Sequence, residues 1–486
     1  MTSRKPHWWR PWSGEASWRA QARKTASALD KETFLTWLDG GGAEAANLTF
    51  GEVWNRSAVM ASWLFDVGLN TGERAMLVYA PGPEFFVAFV ACLRAGILAV
   101  PNYPPDPAKL SRDLEKLDLV CTTCTAKVGL ADNVVYALQL ATRMWHSWPR
   151  IEWYNTDDIK GDERLSTESR FTLSEDTLAD EIIKHLRTSD FSSALAEEDP
   201  HSQDNDDDEL AFARASLRAS IHEQECYHMV NFSPLSFLAN PLMWMRAISK
   251  YRAIWTASPD FGYRLCTKRA ANADISDIDL SCLVYCVAGV GQRCVPSLLR
   301  EFAAYWAFHA RLPDDGDRGI FVPNYGLAEH VVATCGENDG LVASRRRPDL
   351  TSCGSDFIIN LCIVDSATRR ILPSGMPGEL WLSSSSIAKG YWGKPELSRE
   401  TFRAQLDPDN GQTYLRTGDE AFIEDGHLFI CGRIKDLIII GGKNYYSDDV
   451  EFAATEAIGD AIRPGCVAAF SFTDDGEEED ECLAHN

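Results

Sequence analysis

Between Gly72 and Pro101 two short apolar strands flank an apolar helix, and that arrangement leaves few folds open. Ala75 to Tyr79 reads as a buried strand, Pro81-Gly82 breaks it, and Phe85 to Ala95 is an apolar helix. Gly96 then leads into a second strand, Ile97 to Pro101. Strand, crossover helix and strand in this order make a parallel sheet with the helix laid on one face. Just upstream, Leu48-Thr49-Phe50-Gly51-Glu52 starts another helix, whose Val53, Ala58, Met60, Ala61 and Leu64 recur at helical spacing. The expected fold class is α/β. At 486 residues the chain can bury a large core and hold two or more domains.

A different pattern occupies Tyr414 to Glu451, YLRTGDEAFIEDGHLFICGRIKDLIIIGGKNYYSDDVE. His427 to Cys431 is a short, mostly apolar run after an Asp425-Gly426 turn, which is a hairpin signal. Leu437 to Ile440 is a short branched run that stops at Gly441-Gly442, as a buried strand would. Asp419 ends Arg416-Thr417-Gly418-Asp419, and Arg433 with Lys435 follow the hairpin. A carboxylate offers two acceptor oxygens, which suits the two donors of a ribose diol. A guanidinium nearby can add a charge-assisted hydrogen bond to the same nucleotide. For Arg416-Thr417-Gly418-Asp419 taken alone, a hairpin with solvated charges is the simpler account.

Composition narrows the partners. A net charge of −24 argues against nucleic acid and anionic membrane surfaces, though a local site can still take a nucleotide. Fourteen cysteines lie without a framework. Cys121 and Cys124 form one C-x-x-C, but no second pair or nearby His completes a zinc site, so free thiols in a reducing cytoplasm are the simpler account. No run reaches the roughly 18 apolar residues that a membrane span needs. The leader, residues 1–32, is basic and Trp-rich at its start but has no apolar core of a secretory signal. Glu197 to Glu209 carries eight acidic residues in thirteen and no apolar one, so a disordered acidic linker is expected near 190–212.

The strings YLRTGD, GRIKDLIII and GGKNYY strongly resemble the hinge region of the adenylate-forming (acyl-CoA synthetase, AMP-binding) superfamily, and GGKNYYSDDVE with RPGCVAAFS its fatty-acyl-AMP ligase branch. GERAMLVYAPGPEFFVAFVACLRAGILAVPNYPPDPAKL (Gly72 to Leu110) and WPRIEWYNTDD (Trp148 to Asp158) resemble the first subdomain of those ligases. VPNYGLAEH (Val322 to His330) resembles the family's Tyr-Gly-x-x-Glu motif. A segment from Phe232 resembles the turn and helix under the acyl tunnel, making Phe237 and Trp244 candidates, with Trp244, Ile248 and Tyr251 at helical spacing. Asp279 to Phe302 fits the strand, loop and helix bordering the adenine, but Val290-Gly291-Gln292-Arg293 stands where the family has Gly-Ala-Glu-Pro.

The resemblance implies two layered α/β subdomains plus a small distorted β-barrel, with a truncated α+β C-terminal domain. It implies a large AMP-binding domain over 33–434, interrupted by the acidic linker, and a C-terminal piece over 435–486. By resemblance, Asp419 and Arg433 contact the ribose, Tyr325 stacks on adenine and Gly326 lets backbone approach the nucleotide. Glu329 would be the catalytic, magnesium-binding carboxylate, and Lys435 the pivot residue at the start of the small domain. The implied activity takes a fatty acid and ATP to acyl-AMP and passes the acyl group to a phosphopantetheine thiol, on an acyl carrier protein or on CoA. The implied ligands are ATP or AMP and Mg²⁺, and the implied location cytoplasmic.

Two expected parts are missing. The family's Ser/Thr/Gly-rich phosphate loop and the aromatic–His motif after it belong between Asp158 and Phe232, and no such string is there; His228 is not in that pattern. A late lysine of the small domain is also expected, and no Lys follows Lys443. The insertion after the Tyr-Gly motif is short, between Gly336 and Cys353, which leaves the choice of acceptor open. Two readings stand: an AMP-dependent fatty acid ligase, impaired in the chain as given, or a catalytically inactive module that keeps adenylate or acyl binding.

Overall fold

The computed structural model describes residues 29–159, 228–289, 296–313, 320–330, 340–355, 359–384, 386–440, 443–458, 467–472 and 481–485. The acidic run near 190–212, the loop at 290–293 and most of the leader lie outside them. The chain divides into two compact units, one drawn from residues 1–236 and 385–397, the other from 237–384 and 398–486.

In the first unit, β1 (Thr33–Leu38) pairs antiparallel with β2 (Glu44–Thr49) and parallel with β7 (Met229–Phe232). Thr49 then caps α1 (Phe50–Asp66). Its hydroxyl accepts from Glu52 N–H at 3.1 Å while the Glu52 carboxylate accepts from Thr49 N–H at 2.7 Å, so two orphan donors of the first turn are satisfied reciprocally. Four strands follow, β3 (Arg74–Val78), β4 (Leu98–Asn102), β5 (Val128–Ala131) and β6 (Glu152–Asn155), all parallel in the order β4-β3-β5-β6. Helices α2 (Glu84–Ala95), α3 (Leu110–Cys124) and α4 (Asn133–Thr142) make the crossovers.

Strand β3 shows why this sequence needs helices on both faces. Ala75, Leu77 and Tyr79 pack with Met60, Ala61 and Leu64 of α1 and Ala88, Ala91 and Cys92 of α2. Met76 and Val78 point the other way, against Leu114, Leu117 and Cys121 of α3 and Trp148 and Trp153. A strand buried on both sides reads as an unbroken apolar run, as Ala75 to Tyr79 does. The C-x-x-C thiols belong to this second core; burial pushes the Cys121 thiol up to about 11.

The second unit opens with α5 (Leu242–Tyr251) and a parallel sheet of order β10-β9-β8, built from β8 (Trp255–Ser258), β9 (Tyr285–Ala288) and β10 (Phe321–Pro323). With α6 (Asp260–Ala270) and α7 (Pro296–Ala310) it closes on an aromatic core. Tyr263 lies 5.0 Å from Phe302, 5.4 Å from Phe321 and 5.2 Å from Trp244, ring to ring. Trp244 also donates its indole N–H to Thr256 Oγ1 at 2.9 Å, so it is a packed core residue.

Where the resemblance implies a distorted barrel, the described strands form a five-stranded antiparallel sheet of order β12-β11-β13-β14-β15. Its members are β11 (Asn360–Asp365), β12 (Arg370–Ile371), β13 (Gly378–Ser383), β14 (Leu415–Glu424) and β15 (His427–Arg433). Strand β12 is only two residues long, and among the described residues it has no pairing to the far edge β15. The segment after Lys435 mixes strand and helix: hairpin β16 (Leu437–Ile440) to β17 (Lys443–Tyr446), helix α8 (Ser447–Ile458), then hairpin β18 (Ala468–Phe472) to β19 (Glu481–His485).

Candidate active site

The site is made where two sheets of the second unit end. Asn324 N–H donates to Ala288 O at 2.8 Å, extending the β9–β10 ladder by one bond. The chain then leaves the carboxyl end of the parallel sheet through Tyr325, Gly326 and Leu327 into a 3₁₀ turn, Ala328–His330. The carboxyl end of such a sheet is where α/β folds take ligands. His330 anchors the turn. It is fully buried, with Nε2 2.7 Å from Ser384 Oγ beyond the end of β13.

The second contributor is the hairpin β14–β15. Its turn has Asp425 at φ 52° and Gly426 at φ 86°, the left-handed pair that two-residue hairpins favour. The pairing runs from Glu424↔His427 to Ala421↔Ile430, then shifts by one residue to Glu420↔Gly432 and Asp419↔Arg433. The extra residue is the buried Cys431. Such a bulge bends the strand and re-aims the side chains after it, and those are Asp419 and Arg433.

Asp419 is the centre of the site. It is 6% exposed, yet its carboxylate is engaged on both sides. Tyr325 donates its hydroxyl to Oδ2, and Arg433 Nε lies 3.5 Å from Oδ1. The backbone is set by Thr417, whose hydroxyl accepts from Asp419 N–H at 3.1 Å and donates to Leu380 O at 2.8 Å. Burial raises the Asp419 carboxyl above its ordinary value; Tyr325 and Arg433 work against that, and the negative charges of Glu329 and Asp436 work with it. Burial and the Asp419 charge likewise hold the Tyr325 hydroxyl far above the usual phenol range, so it stays a donor. The Arg433 side chain is 57% exposed and its ion pair is long, which leaves guanidinium donors facing solvent.

An ion pair on a buried carboxylate stiffens the approach to Asp419. Glu379, 3% exposed, takes Arg416 Nη2 at 2.9 Å, Ser366 Oγ at 2.9 Å and Gly418 N–H at 3.3 Å. Gly418 sits at φ 72°, where a side chain would be strained.

Of the residues singled out by sequence, the structure joins Tyr325, Asp419 and Arg433, places Gly326 beside Tyr325, and brings Glu329 within electrostatic reach of Asp419. Lys435 lies exposed in the 3₁₀ turn Ile434–Asp436 and takes no part in these contacts. Phe237 stacks edge-on to Trp244 at 5.9 Å. His228 Nε2 lies 2.7 Å from Thr36 Oγ1 of β1, a structural contact. Sequence reasoning missed Thr417, Glu379 and Tyr446, whose hydroxyl donates to the Glu420 carboxylate. Thr417 lies within the YLRTGD motif and Tyr446 within GGKNYY, and their contacts are what the motifs left hidden; Glu379 carried no signal, because its partner Arg416 is 37 residues away.

A buried carboxylate beside a half-exposed guanidinium, at the last pair of the β14–β15 register, is chemically suited to a vicinal diol. The chain also resembles known proteins. The chain is 28% identical to the medium-chain-fatty-acid–[acyl-carrier-protein] ligase of Moorena producens, over 91% of this chain and 81% of that protein. It is 28% identical to the long-chain-fatty-acid–AMP ligase of Mycobacterium marinum, over 94% of this chain and 84% of that one. Among solved structures it resembles a fatty acyl-adenylate ligase from L. pneumophila in complex with acyl adenylate and pyrophosphate, with a TM-score of 0.68, 25% identity, and coverage of 96% of this chain and 85% of that one. The family described as AMP-binding enzyme matches residues 18–213 and 227–392. These spans take in most of the chain, and the protein belongs to the family of AMP-binding enzymes.

Proposed function

We propose that this protein is an AMP-dependent fatty acid ligase, which joins a fatty acid carboxylate to AMP and hands the acyl group to a phosphopantetheine thiol. The observation that carries the reading is the buried Asp419 carboxylate, held between the Tyr325 hydroxyl and Arg433. Its remaining lone pairs accept from the ribose 2′- and 3′-hydroxyls. Arg433 adds donors to the same ribose from the solvent side. The Tyr325 ring offers a face to adenine, and Gly326 admits backbone close to the base.

The chemistry is two displacements. A carboxylate oxygen attacks the α-phosphorus and pyrophosphate leaves, giving a mixed anhydride. A thiolate sulfur then attacks the acyl carbon, forming the thioester and releasing AMP. Asp419 and Arg433 hold the nucleotide still through both, which is positioning catalysis. Glu329 fits one Mg²⁺ position, since that ion is held by one or two carboxylates plus substrate phosphates. Bound there, Mg²⁺ would neutralise charge that develops on the phosphates. Lys435, two residues past Arg433, is the pivot for the segment that follows. The acceptor is a carrier protein or CoA. Among the described residues no helix is long and apolar enough to cross a membrane; a cytoplasmic site of action is part of the proposal.

One observation favours a second reading. The acidic Glu197 to Glu209 lies in the interval where a phosphate-binding string would stand. An adenylate-binding module without turnover would keep the ribose contacts and lose phosphate handling. Single-turnover assay with fatty acid, ATP and Mg²⁺ separates the two. Acyl-AMP that disappears in Asp419→Ala supports the ligase; tight AMP binding with no acyl-AMP and no pyrophosphate supports the module. Failure to bind AMP at all would defeat both.

A further inference from the structure

Tyr446 lies beyond the pivot, in β17, yet its side chain reaches back to the hairpin that carries Asp419 and Arg433. Its hydroxyl donates to Glu420 Oε2. Its ring lies against Gly432: a Cβ at that position would come 3.1 Å from ring carbon Cδ1. Gly432 has φ 152°, a conformation few side chains tolerate. The Arg347 guanidinium lies over the ring at 5.4 Å, itself held by Asp349 at 2.7 Å and by Asp449 of α8 at 3.1 Å. Tyr446 also packs on Leu350, Phe422, Phe429 and Cys431, the core beneath the bulge.

The two places it touches, Glu420 and Gly432, are register partners, and the next pair along is Asp419↔Arg433. A bulge leaves the local ladder broken and the twist unconstrained by hydrogen bonds. A side chain that grips both strands at the bulge supplies the missing constraint. We infer that Tyr446 is a positioning residue for the nucleotide: by bridging Glu420 and Gly432 it braces Asp419 and Arg433 at the spacing a ribose diol requires. This rests on the assignment of Asp419 and Arg433 to ribose.

The test uses the full chain, with Tyr446→Phe and Tyr446→Ala made alone and on Asp419→Ala. AMP affinity is read by calorimetry, folding by thermal melting, and strand order by hydrogen exchange at residues 418–420 and 432–433 without nucleotide. Tyr446→Phe keeps the ring and loses one hydrogen bond, so AMP affinity falls about three- to ten-fold. Tyr446→Ala falls further, and its exchange at 418–420 accelerates. On Asp419→Ala, Tyr446→Phe changes affinity less than about two-fold, because its effect passes through the missing carboxylate. Wild-type AMP affinity in both folded single variants would overturn the inference and leave Tyr446 a simple anchor. Unchanged exchange at 418–420 in Tyr446→Ala would overturn it independently. Absence of AMP binding in the wild type would instead remove the ribose assignment, and the inference with it.

Discussion

Asp419→Asn separates the cost of the site from its use. The Asp419 carboxyl sits above its ordinary pKa because burial outweighs Tyr325 and Arg433. A raised carboxyl means that the folded chain binds a proton more tightly than the unfolded one. Stability is therefore greatest below the unfolded value and falls as pH rises through the folded one. At neutral pH the charged Asp419 costs stability. Asparagine removes the charge, fills nearly the same volume and keeps one acceptor. Its melting temperature at pH 7 should equal or exceed that of the wild type. Binding should move the other way. Hydrogen bonds to a charged acceptor are each worth about 1.5–3 kcal/mol, and about 1.4 kcal/mol is a decade of affinity. Asp419→Ala should weaken AMP by roughly 10- to 100-fold, and Asp419→Asn by less. AMP or an acyl-sulfamoyl adenosine should bind at least as well as ATP. Calorimetric titration of the three proteins, beside their melting curves, decides. Equal AMP affinity in all three would refute the ribose assignment. A melting temperature that drops in Asp419→Asn would show that the carboxylate is structural.

The remaining expectations follow from other parts of the chain. Acyl-AMP turnover by this chain should fall at least about 10²-fold below the usual value near 10 s⁻¹, the cost of losing one preorganised phosphate-binding element; pyrophosphate release at ordinary rates would contradict this. Deleting 190–212 should shift the melting temperature by no more than a few degrees, since its acidic centre, Glu197 to Glu209, has no apolar residue and loop length costs little. Glu379 is pushed up by burial but pulled down further by Arg416, Trp381 and Ser366, so it ends below its ordinary 4.5. Its contribution is therefore present above that value and lost as pH falls through the lowered one. Glu379→Gln should cost about 1–3 kcal/mol at pH 7 and flatten the acid side of a melting-temperature profile against pH.

Local pattern carried the first unit. Val53, Ala58, Met60, Ala61 and Leu64 are buried along α1, and the strand–helix–strand run from Arg74 to Asn102 folds as its apolar spacing requires. The Asp425-Gly426 turn was legible for the same reason, because two residues suffice to specify it. Tyr325 and Asp419 are 94 residues apart, and each was picked out by its own motif; that one donates to the other is visible only in three dimensions. The bulge at Cys431 was hidden too. It falls within the continuous apolar run Leu428 to Cys431, where no alternation marks an extra residue, and the side chains it re-aims include Arg433. In the region where the resemblance implies a distorted barrel, the described strands make an open five-stranded sheet, whose two-residue edge β12 is not paired to β15.

The parallel pairing of β1 with β7 has a consequence for synthesis. All four strands of β4-β3-β5-β6 have left the ribosome soon after Asn155, and that sheet can assemble with neighbours close in sequence. Strand β1 emerges earlier but waits for Met229. Trp392, whose ring lies 5.4 Å from the Arg74 guanidinium, arrives later still. At about 5–20 residues per second, one edge of β1 stays open for roughly ten to forty seconds. Its sequence there, TFLTWL, is apolar and uncharged, the composition that recruits a stray strand. Nascent chains halted before Met229 therefore carry a sticky edge, while those halted far enough past Phe232 for β7 to have left the ribosome hold the strand that covers it.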